Sequence, residues 1–287
     1  MIQFACECYG NYAGYMCQEC REGFRGDNCT VKFTKLRRNL NTLSLMEKQY
    51  IVRVMNAARY VQSDYVIQNM TYSSDPSRDP QFVNASVFDY LAFLHYYASR
   101  MTNLGGNGKC ENATYRMDCA HRGSNFPLWH RYYMILWERE MGKIAGNSTF
   151  SFPYWDWVDG GTTCELCTDE FLGATNVSDA DKRIRTTNVI STWYVLCYIL
   201  NECETCDPGI SFALVRYPGN NTDEAARLPT AQEVDSFMAL DTYDYPDFVV
   251  SSRPTSFRAR IEGYSTIHGP TAKLKMHNLV QDSSNAF

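Results

Sequence analysis

The sequence predicts a mainly α-helical fold behind a small, cysteine-rich N-terminal piece. Two observations carry this prediction. Three segments, opening near Ser44, Asn84 and Pro127, repeat apolar residues three and four positions apart, the spacing of one helix face. Residues 6–29 hold five cysteines in 24 positions, a piece too small to build an adequate core without cross-links. We therefore divide the 287-residue chain at about residue 30, into a cysteine-rich unit (1–30) and a larger helical domain (31–287).

The first helix opens on Ser44-Leu45-Met46-Glu47, a capping box, and is expected to run to about Gln62 with Met46, Tyr50, Val54, Ala57 and Val61 on its inner stripe. A Pro- and Asp-rich loop follows at 73–80. The second helix is expected from Asn84 to Arg100, with Val87, Leu91, Leu94, His95 and Ala98 on one face, then a Gly-rich loop at 104–108. Pro127, tolerated in a first turn, opens the third, which runs to about Ile144 with Trp129, Tyr133, Leu136, Trp137 and Met141 inward. Residues 145–255 read as mostly loop with short helices, and 255–262 and 272–281 as two last helices.

Composition excludes several function classes. Apolar residues are 45% and charged residues 21% of the chain, so a mostly disordered protein is excluded. Lys and Arg number 27 against 32 Asp and Glu, a formal charge of −5 with no dense basic run, which argues against nucleic acid as a partner. The longest strictly apolar run, 193–200, is far short of the roughly twenty residues a bilayer span needs, so no membrane segment is expected.

Twelve cysteines and seven Asn-x-Ser/Thr sequons, at Asn28, Asn69, Asn84, Asn112, Asn147, Asn176 and Asn220, point to an oxidising, glycosylating compartment. Residues 1–5 show neither a charged nor an apolar leader region. Two explanations stand, a cytosolic chain whose cysteines bind metal or a start upstream of Met1, and the sequons favour the second. In the N-terminal unit, Gly23-Phe24-Arg25-Gly26-Asp27-Asn28-Cys29 resembles the tail of an EGF-like module, while Cys17-x-x-Cys20 permits a zinc knuckle.

The chemistry-bearing signal is the placement of three histidines. His95 lies on the apolar face of the second helix, His121 precedes the third, and His130 lies in its first turn. Nine residues separate His121 from His130, so a loop must fold His121 back over the helix start. Three neutral imidazoles converging there would suit copper or zinc. On spacing alone, three ordinary histidines with satisfied hydrogen bonds are the more common arrangement.

Longer motifs decide between these. The stretches are C-E-C-x-x-N-x-x-G-x-x-C-x-x-C-x-x-G-F-x-G-x-N-C at 6–29, S-D-Y-V-I at 63–67, L-H-Y-Y at 94–97 and A-H-x-x-x-x-F-x-x-W-H-R at 120–131. W-E-R-E at 137–140, F-P-Y-W-D-W at 152–157, C-x-x-C-T-D-E at 164–170, R-L-P at 227–229, S-F-R-x-x-x-E-G-Y at 256–264 and M-H-N-L-V at 276–280 continue the series in order. Together they resemble the animal tyrosinase and tyrosinase-related family, a type-3 copper family, over nearly the whole chain.

The resemblance implies a tyrosinase-type helical bundle incomplete at its C-terminus, in a chain shortened at both ends. It implies copper held by His95, His121 and His130, and a second copper of which only His277 is matched. Gln281 stands where the second of that set is expected, and His268, nine residues from His277 in a loop, is a poor substitute. The family activity is hydroxylation of phenols and oxidation of o-diphenols to o-quinones with O2, toward melanin, in a secretory or melanosome-like lumen. Oxidising an o-diphenol removes two electrons, and each copper of a pair carries one, so an incomplete second site bears directly on activity. Glu262 and Asn278 match a pair that positions a water to accept the phenol proton; alternatively Glu262 only pairs with Arg258 on a helix. Asp156 either orients a ligand imidazole or caps a loop. The pairings implied are Cys8–Cys17, Cys20–Cys29, Cys164–Cys167 and Cys197–Cys206, with Cys119 bonded to Cys110 in preference to a thioether with His121. Tyr96, Tyr97, Trp129 and Trp137 are expected to pack the bundle. A zinc-loaded isomerase and a module without turnover are the alternative functions.

Overall fold

The computed structural model describes residues 7–14, 16–68, 82–99, 102–103, 116–117, 120–121, 125–156, 165–179, 183–195, 212–214, 230–241, 243 and 257. Within them lie ten strands and four α-helices. The order is β1 (Tyr12–Ala13), β2 (Glu19–Cys20), β3 (Phe24–Arg25), β4 (Val31–Lys32), α1 (Leu45–Ala58), β5 (Gln62–Gln68), β6 (Phe82–Ser86) and α2 (Val87–Ser99). Then come β7 (Thr102–Asn103), β8 (Arg116–Met117), α3 (Phe126–Ala145), β9 (Tyr194–Val195), β10 (Phe212–Ala213) and α4 (Ala231–Met238). Every strand pairing is a two-stranded antiparallel ribbon, so among the described residues the core is built by helices and the loops that pack on them.

The start of α1 is the expected capping box, with Ser44 Oγ accepting from Glu47 N and Glu47 accepting from Ser44 N. Its end is not where periodicity placed it. The helix stops at Ala58, and Gln62–Gln68 turns into a strand paired with Phe82–Ser86. The alternation Tyr65-Val66-Ile67 is the strand signal, and the partner that makes it pay off lies beyond a loop. The inner face also differs. Met46 is 76% exposed, while Ile51, Val52, Val54, Met55 and Ala58 are buried. Two overlapping stripes are possible on this helix, and packing against α3 and α2 selects the second.

The second helix begins at Val87 rather than Asn84, because 82–86 belong to the ribbon; Ser86 Oγ accepts from Asp89 N and caps it. The third begins at Phe126 and ends at Ala145 on a left-handed Gly146, within a residue of expectation at each end. Val87, Phe88 and Leu91 of α2 meet Tyr133, Leu136, Trp137 and Met141 of α3. Phe88 sits edge-on to both Trp137 (5.5 Å) and Trp193 (5.0 Å), which draws the 188–193 turn onto the helices. Trp193 Nε1 donates to Asn56 Oδ1 on α1 at 3.0 Å. The two expected final helices and the 73–80 and 104–108 loops lie outside the described residues, apart from Phe257.

The N-terminal unit forms the disulfides Cys8–Cys17 and Cys20–Cys29. Cys17 and Cys20 therefore enter separate bonds, and a zinc knuckle on them is excluded. Cys167 is also disulfide-bonded. The unit rests on the C-terminal half of α3 through Glu19, which pairs with Arg139 (3.0 Å) and Lys143 (2.7 Å).

Gly142, inside α3, has a packing reason to be Gly. A Cβ there would lie 2.9 Å from the Asn147 carbonyl oxygen. Helix propensity alone favours Ala by about 1 kcal/mol, whereas overpacking costs about 1–3 kcal/mol. Gly142→Ala is expected to lower the chemical-denaturation midpoint; a raised midpoint would show that the turn yields freely.

Candidate metal centre

The site is assembled where α2 passes the start of α3. His95 follows Leu91 by four residues on α2, so the buried Leu91 and Phe88 fix the face on which it lies. His130 sits one turn into α3, ahead of Tyr133, Trp137 and Met141 on the inward side. His121 is brought in by its neighbour: Ala120, fully buried, donates its N–H to the Ala98 carbonyl at the end of α2 (3.1 Å). That backbone bond helps to hold the segment folded back over the helix start, as the spacing required.

The three imidazoles converge. Ring centroids are 5.2 Å apart for His95 and His121, 5.0 Å for His121 and His130, and 5.7 Å for His95 and His130. One nitrogen from each lies within 4.8 Å of the other two, a separation that lets all three share one ion. His121 is buried and the other two are half-buried.

The donor set fits a transition metal by its chemistry. His130 Nδ1 lies 2.7 Å from the Phe126 carbonyl oxygen, which can only accept, so Nδ1 carries the proton and Nε2 offers its lone pair. A ring fixed this way through its second nitrogen is how metal-binding histidines are oriented. Among the described residues no carboxylate joins the group, and neutral imidazoles alone suit copper or zinc.

An aromatic wall surrounds the cluster. Trp129 stands edge-on to His95 (5.2 Å) and His130 (4.9 Å), and Phe126 packs on His130 (4.4 Å) and His121 (6.2 Å). The sequence reading gave Trp129 to bundle packing and gave Phe126 no role. The i, i+4 relation of Phe126 to His130 was the available signal, since it places the Phe126 carbonyl beneath the ring. Tyr133 was likewise read as core alone. Its hydroxyl donates to the Leu91 carbonyl at 2.8 Å, fastening α3 to the turn of α2 that carries His95. Burial pushes the Tyr133 phenol far above its ordinary range, with the Trp137 indole acting in the opposite sense, so it stays a neutral donor. Tyr133→Phe keeps the ring and removes the tether. It is expected to cost about 1 kcal/mol of stability and to weaken metal binding several-fold in a metal titration; unchanged affinity would assign Tyr133 to packing only.

His277, Glu262, Asn278, Gln281, His268, Cys110 and Cys119 lie outside the described residues. Asp156 is described, at the end of the 151–156 segment beside Trp155, and is half-buried. A buried residue to which the sequence analysis gave no role beyond its place in the W-E-R-E stretch is Glu138. It is 2% exposed, receives Arg37 through two bonds (2.8 and 3.2 Å) and accepts from Phe152 N (3.1 Å), which fastens the 151–156 segment to α3.

Comparison with known proteins agrees with this geometry. The family profile described as the common central domain of tyrosinase matches residues 85–285, a span that contains all three clustered histidines. The chain is 35% identical to a tyrosinase of Gallus gallus over 281 residues, covering 96% of this chain and 52% of that protein. It is 36% identical to a 5,6-dihydroxyindole-2-carboxylic acid oxidase of Carassius auratus over 288 residues, 96% of this chain and 54% of that one. A tyrosinase of Felis catus is 34% identical over 282 residues, 95% and 52% of the two chains. The chain thus spans about half the length of the curated relatives it matches. With the profile match over most of its length and the histidine cluster inside that match, the chain belongs to the tyrosinase family.

Proposed function

We propose that this chain carries the metal-binding part of a copper-dependent phenol oxidase, with His95, His121 and His130 as the ligands of one copper. The observation that carries the reading is the convergence of three imidazole nitrogens within 4.8 Å, on a chain of the tyrosinase family. Copper held there would supply the one-electron redox chemistry that phenol oxidation by O2 requires. The chain's own residues do the rest. The Phe126 carbonyl holds the His130 proton on Nδ1 and so aims Nε2 inward. Trp129 and Phe126 pack against the rings of His95 and His130. Glu262 and Asn278 are assigned to the acceptance of the phenol proton through a positioned water, and His277 to a second copper. The substrates are a phenolic small molecule and O2, the product chemistry leads toward melanin, and the compartment is a secretory or melanosome-like lumen, consistent with the disulfides.

A second reading is favoured by one residue. Gln281 occupies the position four after His277, where a helix would present a second imidazole to the same ion. With an amide there, the chain would bind metal at the first site without turning over a diphenol. The imidazole set by itself also admits zinc, and with it an isomerase. Metal analysis with oxygen uptake on an o-diphenol separates these. The oxidase reading expects bound copper and copper-dependent uptake; copper without uptake supports the module reading, and zinc without uptake the isomerase.

A further inference from the structure

We propose that the cleft between the cysteine-rich unit and the C-terminal half of α3 binds a sulfated saccharide. The cleft has a volume of about 510 Å³, within the range of small-ligand sites. Arg21, Arg25 and Lys35 line one wall and Arg139 and Lys143 the other, against two carboxylates, Glu19 and Glu22. That is a local surplus of three positive charges in a chain whose formal charge is −5. A cleft lined by one sign of charge concentrates ligands of the other. Lys143 lies thirteen residues beyond His130, roughly 20 Å along α3. The cleft is therefore separate from the metal centre, and the proposal does not depend on the oxidase reading.

Ion pairs occupy part of this set. Glu19 takes Arg139 and Lys143, Glu22 takes Lys35 at 3.0 Å, and Glu140 beside the cleft takes a second bond from Lys143 at 2.9 Å. Among the described residues Arg21 and Arg25 have no carboxylate partner. Both are exposed, yet each is held in place. Arg21 donates through Nε to the Tyr12 carbonyl (3.3 Å) and through Nη2 to the Cys8 carbonyl (3.5 Å). Arg25 Nη1 reaches across the cleft to Ser148 Oγ at 3.3 Å, and its guanidinium stands 5.8 Å from the centre of the Phe33 ring. Each guanidinium has five N–H donors, so most remain for a ligand. Two fixed forks without an acid partner suit a sulfate, whose oxygens accept paired bonds. The rest of the lining suits a sugar ring. The half-buried Phe24 and Phe33 offer surface to its C–H face, and Gln18 and Ser148 offer polar groups to its hydroxyls.

Calorimetric titration of the full chain, its N-linked glycans trimmed, with a heparin-derived tetrasaccharide tests the proposal. One saturable site is expected, and chemical desulfation of the tetrasaccharide is expected to abolish it. Arg25→Glu is expected to weaken binding about tenfold or more. Arg53→Glu makes the same charge change on an exposed residue of α1 outside the cleft and is expected to leave binding nearly unchanged. Arg21→Gln, at the other guanidinium without an acid partner, gives a second reading that adds no repulsive charge and is expected to weaken binding several-fold. The unfolding midpoint of each variant, read alongside, confirms that a folded chain was titrated. The absence of a saturable site overturns the proposal, as does equal weakening by Arg25→Glu and Arg53→Glu, which would mean diffuse charge attraction. A hexaglutamate peptide that binds as tightly would assign the cleft to acidic peptides instead. Inorganic sulfate that binds as tightly as the tetrasaccharide would overturn the assignment to a saccharide.

Discussion

Replacing Glu138 by Ala is expected to destabilise the chain by about 3 kcal/mol. Glu138 stands between Trp137 and Arg139 in a helix and reads as a surface residue, yet it is 2% exposed. Its carboxylate takes both Arg37 bonds and the Phe152 N–H. Truncation leaves that amide and the guanidinium without this acceptor. The buried-pair range extends to about 5 kcal/mol. Arg37, however, is 39% exposed and recovers part of its hydration, so the lower part of the range applies. Glu138→Gln retains an oxygen for Phe152 N and is expected to lose less. Urea unfolding monitored by tryptophan fluorescence measures both. A loss below about 1 kcal/mol for Glu138→Ala would mean that the 151–156 segment is held by its aromatic contacts and that the ion pair adds little.

Replacing His130 by Ala is expected to weaken metal binding by more than the roughly 10–100-fold that removal of an outer hydrogen-bond partner costs, because it removes a ligand itself. Loss of the ring also removes the side-chain bond to the Phe126 carbonyl and the edge contact with Trp129. The fold should survive, since the main core lies further along α3 at Leu136, Trp137 and Met141. Linkage gives an independent check. Metal at about 100 times its Kd stabilises the native state by about 2.7 kcal/mol, so chelation should lower the melting temperature of the parent chain and leave that of His130→Ala unchanged. Equal sensitivity of both proteins to chelator would place the bound metal away from His95, His121 and His130.

The three helices were legible through their apolar spacing, and the starts of α1 and α3 also through the Ser44 capping box and Pro127. Pro127 and Gly146 mark the two ends of α3 to within a residue. The β5–β6 ribbon was not, because a strand's partner is set by chain closure across the intervening loop rather than by neighbours in sequence. The α1 face was misplaced for a related reason. Met46 and Tyr50 complete a helical stripe as well as Ile51 and Met55 do, and only contact with α2 and α3 breaks the tie. Glu138 was invisible because a buried carboxylate is tolerable only with its partners, and Arg37 lies 101 residues away in sequence.

The candidate site divides in the same way. By itself the sequence determined which residues are present to bind a metal and the family to which they belong, since ligand chemistry and motif order are properties of the chain. It also placed cysteines for the two N-terminal disulfides, which the structure forms. Only the tertiary structure decided that the imidazoles of His95, His121 and His130 meet, and which nitrogen of His130 faces inward. Convergence depends on a backbone bond from Ala120 to Ala98 and a hydroxyl bond from Tyr133 to Leu91, links between segments 22 and 42 residues apart. Such links have no local signature, because they form only when the helices have already packed.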